Sequence, residues 1–152
     1  MKKLLIVLYC LLLFPLYACS RQTNLQSYQP IKSNDYDPVP IIKSAIELQP
    51  PTYVDLPTKV EVTNKYIKLI YLESAFKFPV SVFARREDQI ETETVILYEH
   101  IGSLKLFRKD VWWVEISDPA GNYIYSIYTF NEDRAKRLID ALTVLMDSAR
   151  SQ

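Results

Sequence analysis

Short runs of aromatic and β-branched residues, separated by polar turns, follow one another closely from Lys59 to Phe130. Residues 118–122, Asp-Pro-Ala-Gly-Asn, have the composition of a tight hairpin turn between the last two runs. Strands spaced this closely leave little room for crossover helices, so the pattern predicts antiparallel strands rather than βαβ units. The strand candidates are the segments 59–62, 66–72, 78–84, 92–101, 104–108, 111–117 and 123–130.

An amphipathic helix is predicted at the C-terminal end of the chain, over residues 131–149. Asn131 is a residue type favoured at the N-cap, and Glu132 and Asp133 place negative charge in the first turn, where the helix dipole stabilises it. A shorter helix is predicted over residues 41–48, with prolines on both sides. The apolar positions of the C-terminal helix recur at helical spacing: Ala135, Leu138, Ile139, Leu142, Leu145, Met146 and Ala149.

These elements predict an α+β fold: a small antiparallel β barrel or strongly bent sheet of about six or seven strands. The C-terminal helix would cap it, and a short helix would precede it. The stretch from Val111 through the turn at Gly121 to the helix at Asn131 resembles a pleckstrin-homology-like barrel, in which the last helix closes one end of a bent sheet. The resemblance implies a fold and no function, since one fold hosts many activities.

The N-terminus has the organisation of a secretory signal peptide over residues 1–18. Two lysines precede an apolar run from Leu4 to Phe14, and the apolar stretch as far as Cys19 is shorter than the ~20 residues of a membrane-spanning helix. The segment Leu16-Tyr17-Ala18-Cys19 resembles the lipobox of bacterial lipoproteins, with Leu at −3, a small residue at −1 and Cys first in the mature chain.

This resemblance implies cleavage between Ala18 and Cys19, a diacylglycerol on the Cys19 sulfur and an N-acyl chain on its amino group. Each buried CH₂ adds ~0.8 kcal/mol of membrane affinity, so two or three acyl chains anchor a protein durably. Ser20, where Asp would retain such a protein at the inner membrane, favours the outer membrane, with the domain facing the periplasm. The alternatives are an ordinary signal peptide with an incidental cysteine and an uncleaved N-terminal helix.

The rest of the chain divides into a tether and one domain. Residues 19–40 are polar and contain prolines, which predicts a flexible tether, and residues 41–150 form a single β-rich domain. Cys10 lies within the signal peptide, so Cys19 is the only cysteine of the mature chain. An acylated Cys19 leaves no thiol for a disulfide or for a metal site.

Composition argues against several kinds of chemistry. The 18 basic and 18 acidic residues give no electrostatic reason to expect nucleic acid, and two glycines leave no room for a phosphate-binding loop. His100 is the only histidine and lies within a strand candidate, without a Gly-x-Ser-x-Gly motif in the chain. We therefore expect no catalytic residue, metal site or cofactor other than the acyl groups; the alternative is a hydrolase that uses His100.

The adjacent tryptophans suggest a binding surface. Trp112 shares a strand face with Val114 and Ile116, which predicts a core position, whereas Trp113 points to the opposite face. Across the hairpin, Tyr123, Tyr125 and Tyr128 can place an aromatic ring beside Trp113, and an outward aromatic patch suits a partner. The partner-binding residues predicted are Trp113, Tyr123 and Tyr125. The alternative is that the connector 50–58 or the first helix covers Trp113.

The sequence thus predicts a membrane-anchored lipoprotein of the bacterial cell envelope that acts as a non-enzymatic binding or assembly module. Its expected partners are the lipid bilayer, through acylated Cys19, and an envelope protein. A different function, as a carrier of a lipid or small ligand, would use the interior of the barrel as an apolar pocket.

Overall fold

The structure, a computed structural model, describes residues 23–33, 35–74 and 89–151. The predicted signal peptide, Cys19 and the strand candidate 78–84 lie outside the described residues. The elements are β1 (Asn24–Gln26), α1 (Pro38–Glu47), β2 (Lys59–Val62), β3 (Tyr66–Ser74), β4 (Gln89–Leu97), a 3-10 turn (Tyr98–His100), β5 (Ser103–Arg108), β6 (Trp112–Ser117), β7 (Tyr123–Thr129) and α2 (Glu132–Arg150).

The strands form two antiparallel sheets. One has four strands in the order β1–β5–β6–β7, and the other has three in the order β2–β3–β4. The α+β class, the antiparallel pairing, the short helix and the C-terminal helix are confirmed. The predicted barrel is not confirmed, because the described strands form two sheets in which β4 and β5 belong to different sheets and are joined through the 3-10 turn.

One hydrophobic core joins the two sheets and the two helices. Helix α2 begins after the N-cap Asn131, whose side-chain oxygen accepts a hydrogen bond of 2.9 Å from the backbone N–H of Arg134. It packs against β5, β6 and β7, and α1 packs between α2, β2 and β7. The helix buries the predicted stripe up to Met146, together with Ala141. The fully buried large side chains from the strands and the turn include Ile67, Leu69, Tyr98, Ile116 and Ile127.

Two predicted boundaries need correction. Helix α1 begins at Pro38 rather than at residue 41, because Asp37 caps it by accepting a hydrogen bond from Val39 N at 3.0 Å. Proline is tolerated in a first helical turn, whose N–H groups have no partner within the helix. The strand predicted over 92–101 ends at Leu97, so His100 lies in the 3-10 turn and not in a strand.

The segment predicted as a flexible tether, 19–40, is part of the domain from Asn24 onward. Strand β1 pairs with β5, and the chain then crosses α2 as a strap, which we define as residues 27–33. The Tyr28 hydroxyl lies 2.9 Å from both carboxylate oxygens of Asp140, and Ile31 N donates to the same carboxylate at 2.8 Å. The domain therefore begins no later than Asn24.

The strap contains a tyrosine whose titration reports the contact with α2. Burial, and after it the hydrogen bond to Asp140, raises the pKa of Tyr28 to about 12 from 10.0. The folded state favours the neutral phenol, so this contribution to stability is complete below pH 10.0 and is lost as the pH rises through about 12.

In Asp140→Asn we expect the pKa of Tyr28 to fall, because the neutral amide removes the negative charge while still accepting a hydrogen bond. It should stay above 10.0, since burial is the larger cause and remains. Ring resonances of isotope-labelled tyrosine, assigned with Tyr28→Phe, measure both values. An unchanged pKa in Asp140→Asn would contradict the contact between the strap and α2.

Candidate functional site

Trp112 and Trp113 point to opposite faces of the four-stranded sheet. Trp112 packs against the hydrophobic core, and the guanidinium of Arg108 lies 5.2 Å from the centre of its ring. Trp113 lies on the outer face, opposite Phe107 of β5 and Tyr128 of β7 in the strand register. The alternation of strand residues therefore predicted both orientations correctly.

The outer face has a row of aromatic rings that runs across the strands. Phe107 and Trp113 are stacked with ring centres 5.3 Å apart, and Trp113 and Tyr128 are 5.8 Å apart. Tyr53, from the connector between α1 and β2, stacks on Tyr128 at 6.0 Å. We call Phe107, Trp113, Tyr128 and Tyr53 the aromatic row. Such separations are those of favourable aromatic pairs, each contributing ~0.5–1.5 kcal/mol.

Both ends of the aromatic row are open to solvent. At one end Leu25 of β1 is the register partner of Phe107 and is 62% exposed. At the other end Tyr53 is 45% exposed. Trp113, between them, is partly buried. The row is thus an uninterrupted apolar surface with accessible ends.

The connector is held against the sheet by a buried glutamine. Gln49, 2% exposed, accepts a hydrogen bond of 2.9 Å from the backbone N–H of Tyr128, on the edge of β7 that faces away from β6. Its side-chain amide also donates to the carbonyl of Ile46 at 3.2 Å. The connector therefore reaches the row through Tyr53 and covers the Tyr128 end. The alternative considered from the sequence was that the connector covers Trp113; the ring contact that the connector makes with the row is instead with Tyr128.

The two predicted tyrosines lie apart from Trp113. Tyr125 pairs with Ile116, and its hydroxyl lies 2.9 Å from that of Tyr71 on β3, a contact that joins the two sheets. Burial, and then this hydrogen bond, raises the pKa of Tyr71. Tyr123 is 62% exposed at the start of β7. Of the three tyrosines considered, the register brings Tyr128 to Trp113.

Sequence reasoning did not find Phe107 and Tyr53. The sequence could have indicated Phe107, because the strand candidate 104–108 lies next to the tryptophan strand and contains one aromatic residue. No pattern indicated Tyr53, because it lies in a proline-rich connector without periodicity. On one side of the row, Lys105 and Glu115 form an ion pair of 3.7 Å, so these two charges offset each other.

His100 is exposed, and its Nε2 lies 3.7 Å from a carboxylate oxygen of the neighbouring Glu99. Within the described part of the chain, no group of three or more His, Cys, Asp or Glu side chains is placed to hold a metal ion. Nor does any helix among residues 23–33, 35–74 and 89–151 have the length and apolarity to cross a membrane.

The clefts of the domain lie beside its core. A cleft of about 450 Å³ lies between the strap, β5 and α2, and is lined by Tyr28, Leu106 and Met146 among others. A second, of about 520 Å³, lies between the connector and β3. Among the described residues, the buried side chains of the core lie between the sheets and the helices.

The chain matches no protein-family model, no curated protein and no solved structure. What the protein does is therefore inferred from its own residues.

Proposed function

We propose that the protein is a lipoprotein of the bacterial cell envelope, anchored by acylated Cys19 in the outer membrane with its domain facing the periplasm. The domain is a non-enzymatic binding or assembly module, and its partner is an envelope protein that contacts the aromatic row. The anchor is supported by the lipobox-like Leu16-Tyr17-Ala18-Cys19 and the preceding apolar run.

The observation that carries the binding role is the aromatic row itself. The inner face of the four-stranded sheet contributes Leu106, Val114 and Ile127 to the core, whereas the rings of the aromatic row lie on the outer face, outside that core. Tryptophan and tyrosine are the residues most enriched at interface hot spots, since they bury large areas with few rotatable bonds. An apolar row with exposed ends fits the surface of a protein partner.

We also propose the more specific arrangement in which the two sheets approximate a bent, pleckstrin-homology-like barrel capped by α2. It is supported by the hydroxyl contact between Tyr71 and Tyr125, which links β3 to β7, and by the single core shared by both sheets. Cross-strand amide contacts between β4 and β5, measured by nuclear magnetic resonance, would establish closure, and their absence would leave two separate sheets.

Photo-crosslinking in intact cells tests the binding role. A benzoylphenylalanine residue at Tyr53, the open end of the row, should give a discrete adduct with an envelope protein. Trp113→Ala should abolish that adduct, because it removes the centre of the row while the core side of the sheet is unchanged. The matched control is the same probe at Val95, 52% exposed on the other sheet, which should give no such adduct.

An adduct at Tyr53 that persists unchanged in Trp113→Ala would contradict the role of the row. The anchor is tested separately, by the intact mass of the membrane-extracted protein beside Cys19→Ser. The expected chain begins at Cys19 and has acyl mass, which the variant lacks. A chain that retains residues 1–18 or has no added mass would contradict the lipoprotein.

A further inference from the structure

The link between the proposed anchor and the domain is short. Strand β1 begins at Asn24, so Cys19 and the first described strand are five residues apart. At no more than ~3.5 Å per residue, five residues span at most ~18 Å. A compact chain of this size has a radius of gyration of about 14 Å and thus a diameter of roughly 35 Å. The link is shorter than the domain, so one side of the domain must face the bilayer.

That side is the β1 edge of the four-stranded sheet. It has two apolar side chains that the fold leaves in solvent: Leu25, 62% exposed, and Ile31, 65% exposed. The backbone of Ile31 is fixed by its hydrogen bond to Asp140, so the Ile31 side chain is exposed while the strap is in its folded position. In water these two side chains contribute nothing to the core. At a lipid interface each would bury apolar area.

Cations lie at the same edge. Arg108 is the register partner of Asn24 and lies over the ring of Trp112, and Lys109 follows it; both cations are exposed. Exposed apolar side chains and basic residues occur together at membrane interfaces, where each cation gains ~1 kcal/mol near anionic headgroups.

We propose that this edge, formed by β1, the strap and Arg108-Lys109, lies on the bilayer interface, with Leu25 and Ile31 at the headgroup boundary. The inference rests on the proposed acylation of Cys19. The orientation also limits where the partner binds. The aromatic row starts beside Leu25 and crosses three strands, β5, β6 and β7, spaced ~4.8 Å apart, so the partner contacts the row close to the membrane surface.

Site-specific quenching tests this orientation in the full-length, acylated protein. Leu25→Cys, Ile31→Cys and Tyr123→Cys each introduce one reactive thiol, because Cys10 is removed with the signal peptide and Cys19 is acylated. Tyr123 is the matched control, since it is as exposed as Leu25 but lies at the opposite edge and the opposite end of the sheet. Each variant, labelled with a fluorophore, is reconstituted into phosphatidylethanolamine–phosphatidylglycerol vesicles that contain lipids with nitroxide headgroups.

We expect the labels at positions 25 and 31 to be quenched several-fold more strongly than the label at position 123. Equal quenching at all three positions, or quenching confined to position 123, would overturn the orientation while leaving the anchor intact. Intact mass of the same samples reports acylation independently. A chain without acyl mass would overturn the anchor and, with it, this inference.

Discussion

Gly102→Ala is expected to remove more than about 3 kcal/mol from the stability of the domain. A methyl group at this position would lie 2.3 Å from the carbonyl oxygen of Asp118 and 2.4 Å from Cα of Pro119. Both are backbone atoms, so no side-chain rotation relieves the overlap. Overpacking costs ~1–3 kcal/mol, and more when the backbone must move, out of a typical total of ~5–15 kcal/mol.

The displacement would also break a contact that fixes the start of β5. Gly102 N donates a hydrogen bond of 2.8 Å to the carbonyl of Ser117, at the end of β6. The glycine therefore allows two chain segments to approach at the point where β5 enters the sheet. Urea unfolding, followed by the fluorescence of Trp112 and Trp113, measures the loss.

The other glycine is the matched control. Gly121 has a φ of +87°, in the hairpin turn, and a methyl group there would meet no atom within 4 Å. Gly121→Ala should therefore lower the free energy of unfolding by only ~1–2 kcal/mol, because alanine disfavours the left-handed conformation. If both variants lose the same free energy of unfolding, the close approach of the backbone to Gly102 is not the reason that this position requires glycine.

Elements defined by neighbouring residues could be predicted from the sequence. The cap at Asn131 and the apolar stripe of α2 are local patterns, and so are the two strands and the turn between Trp112 and Thr129. The face of Trp113 followed from alternation alone. These predictions are confirmed because the period of a helix or strand is a property of consecutive residues.

The strap could not be predicted, because its contacts are made by single residues with a distant helix. Tyr28 and Ile31 bind Asp140, and Lys32 forms an ion pair of 2.5 Å with Asp147. None of these contacts imposes a period on residues 24–33, which have the composition of a linker. Composition therefore indicated a tether where the chain is in fact held by specific polar contacts.

The aromatic row could be predicted only in part. Alternation placed Trp113 outward, but its neighbours depend on the register of β5 and β7 and on where the connector returns to the sheet. Tyr125 was a reasonable neighbour from the hairpin alone. The register instead pairs it with Ile116 and turns its hydroxyl toward Tyr71. The register shift between Ile116 and Ser117, within this hairpin, places Tyr125 opposite Ile116 and Tyr128 opposite Trp113, and no pattern in the sequence indicated that irregularity.

Gln49→Leu is expected to destabilise the domain by ~1–3 kcal/mol, because it leaves the partly buried backbone N–H of Tyr128 without its hydrogen-bond acceptor. Leucine has nearly the volume of glutamine, so packing is kept while the hydrogen bond to Tyr128 N is lost. Urea unfolding gives the free energy, and hydrogen exchange of the Tyr128 amide reports the bond directly. Gln29→Leu, on the exposed part of the strap, is the control and should change stability by less than ~0.5 kcal/mol.

The same substitution separates the fold of the domain from the assembly of the row. The hydrogen bond of Gln49 holds the connector to the edge of β7 that faces away from β6, and the connector places Tyr53 on Tyr128. In Gln49→Leu we therefore expect the ring contact between Tyr53 and Tyr128 to weaken, while the strand-borne stack of Phe107 and Trp113 remains. A Tyr128 amide that exchanges no faster than in the wild type would contradict this role. If the partner binds the complete row, crosslinking from Tyr53 should fall in Gln49→Leu although the sheet that bears Trp113 is still folded.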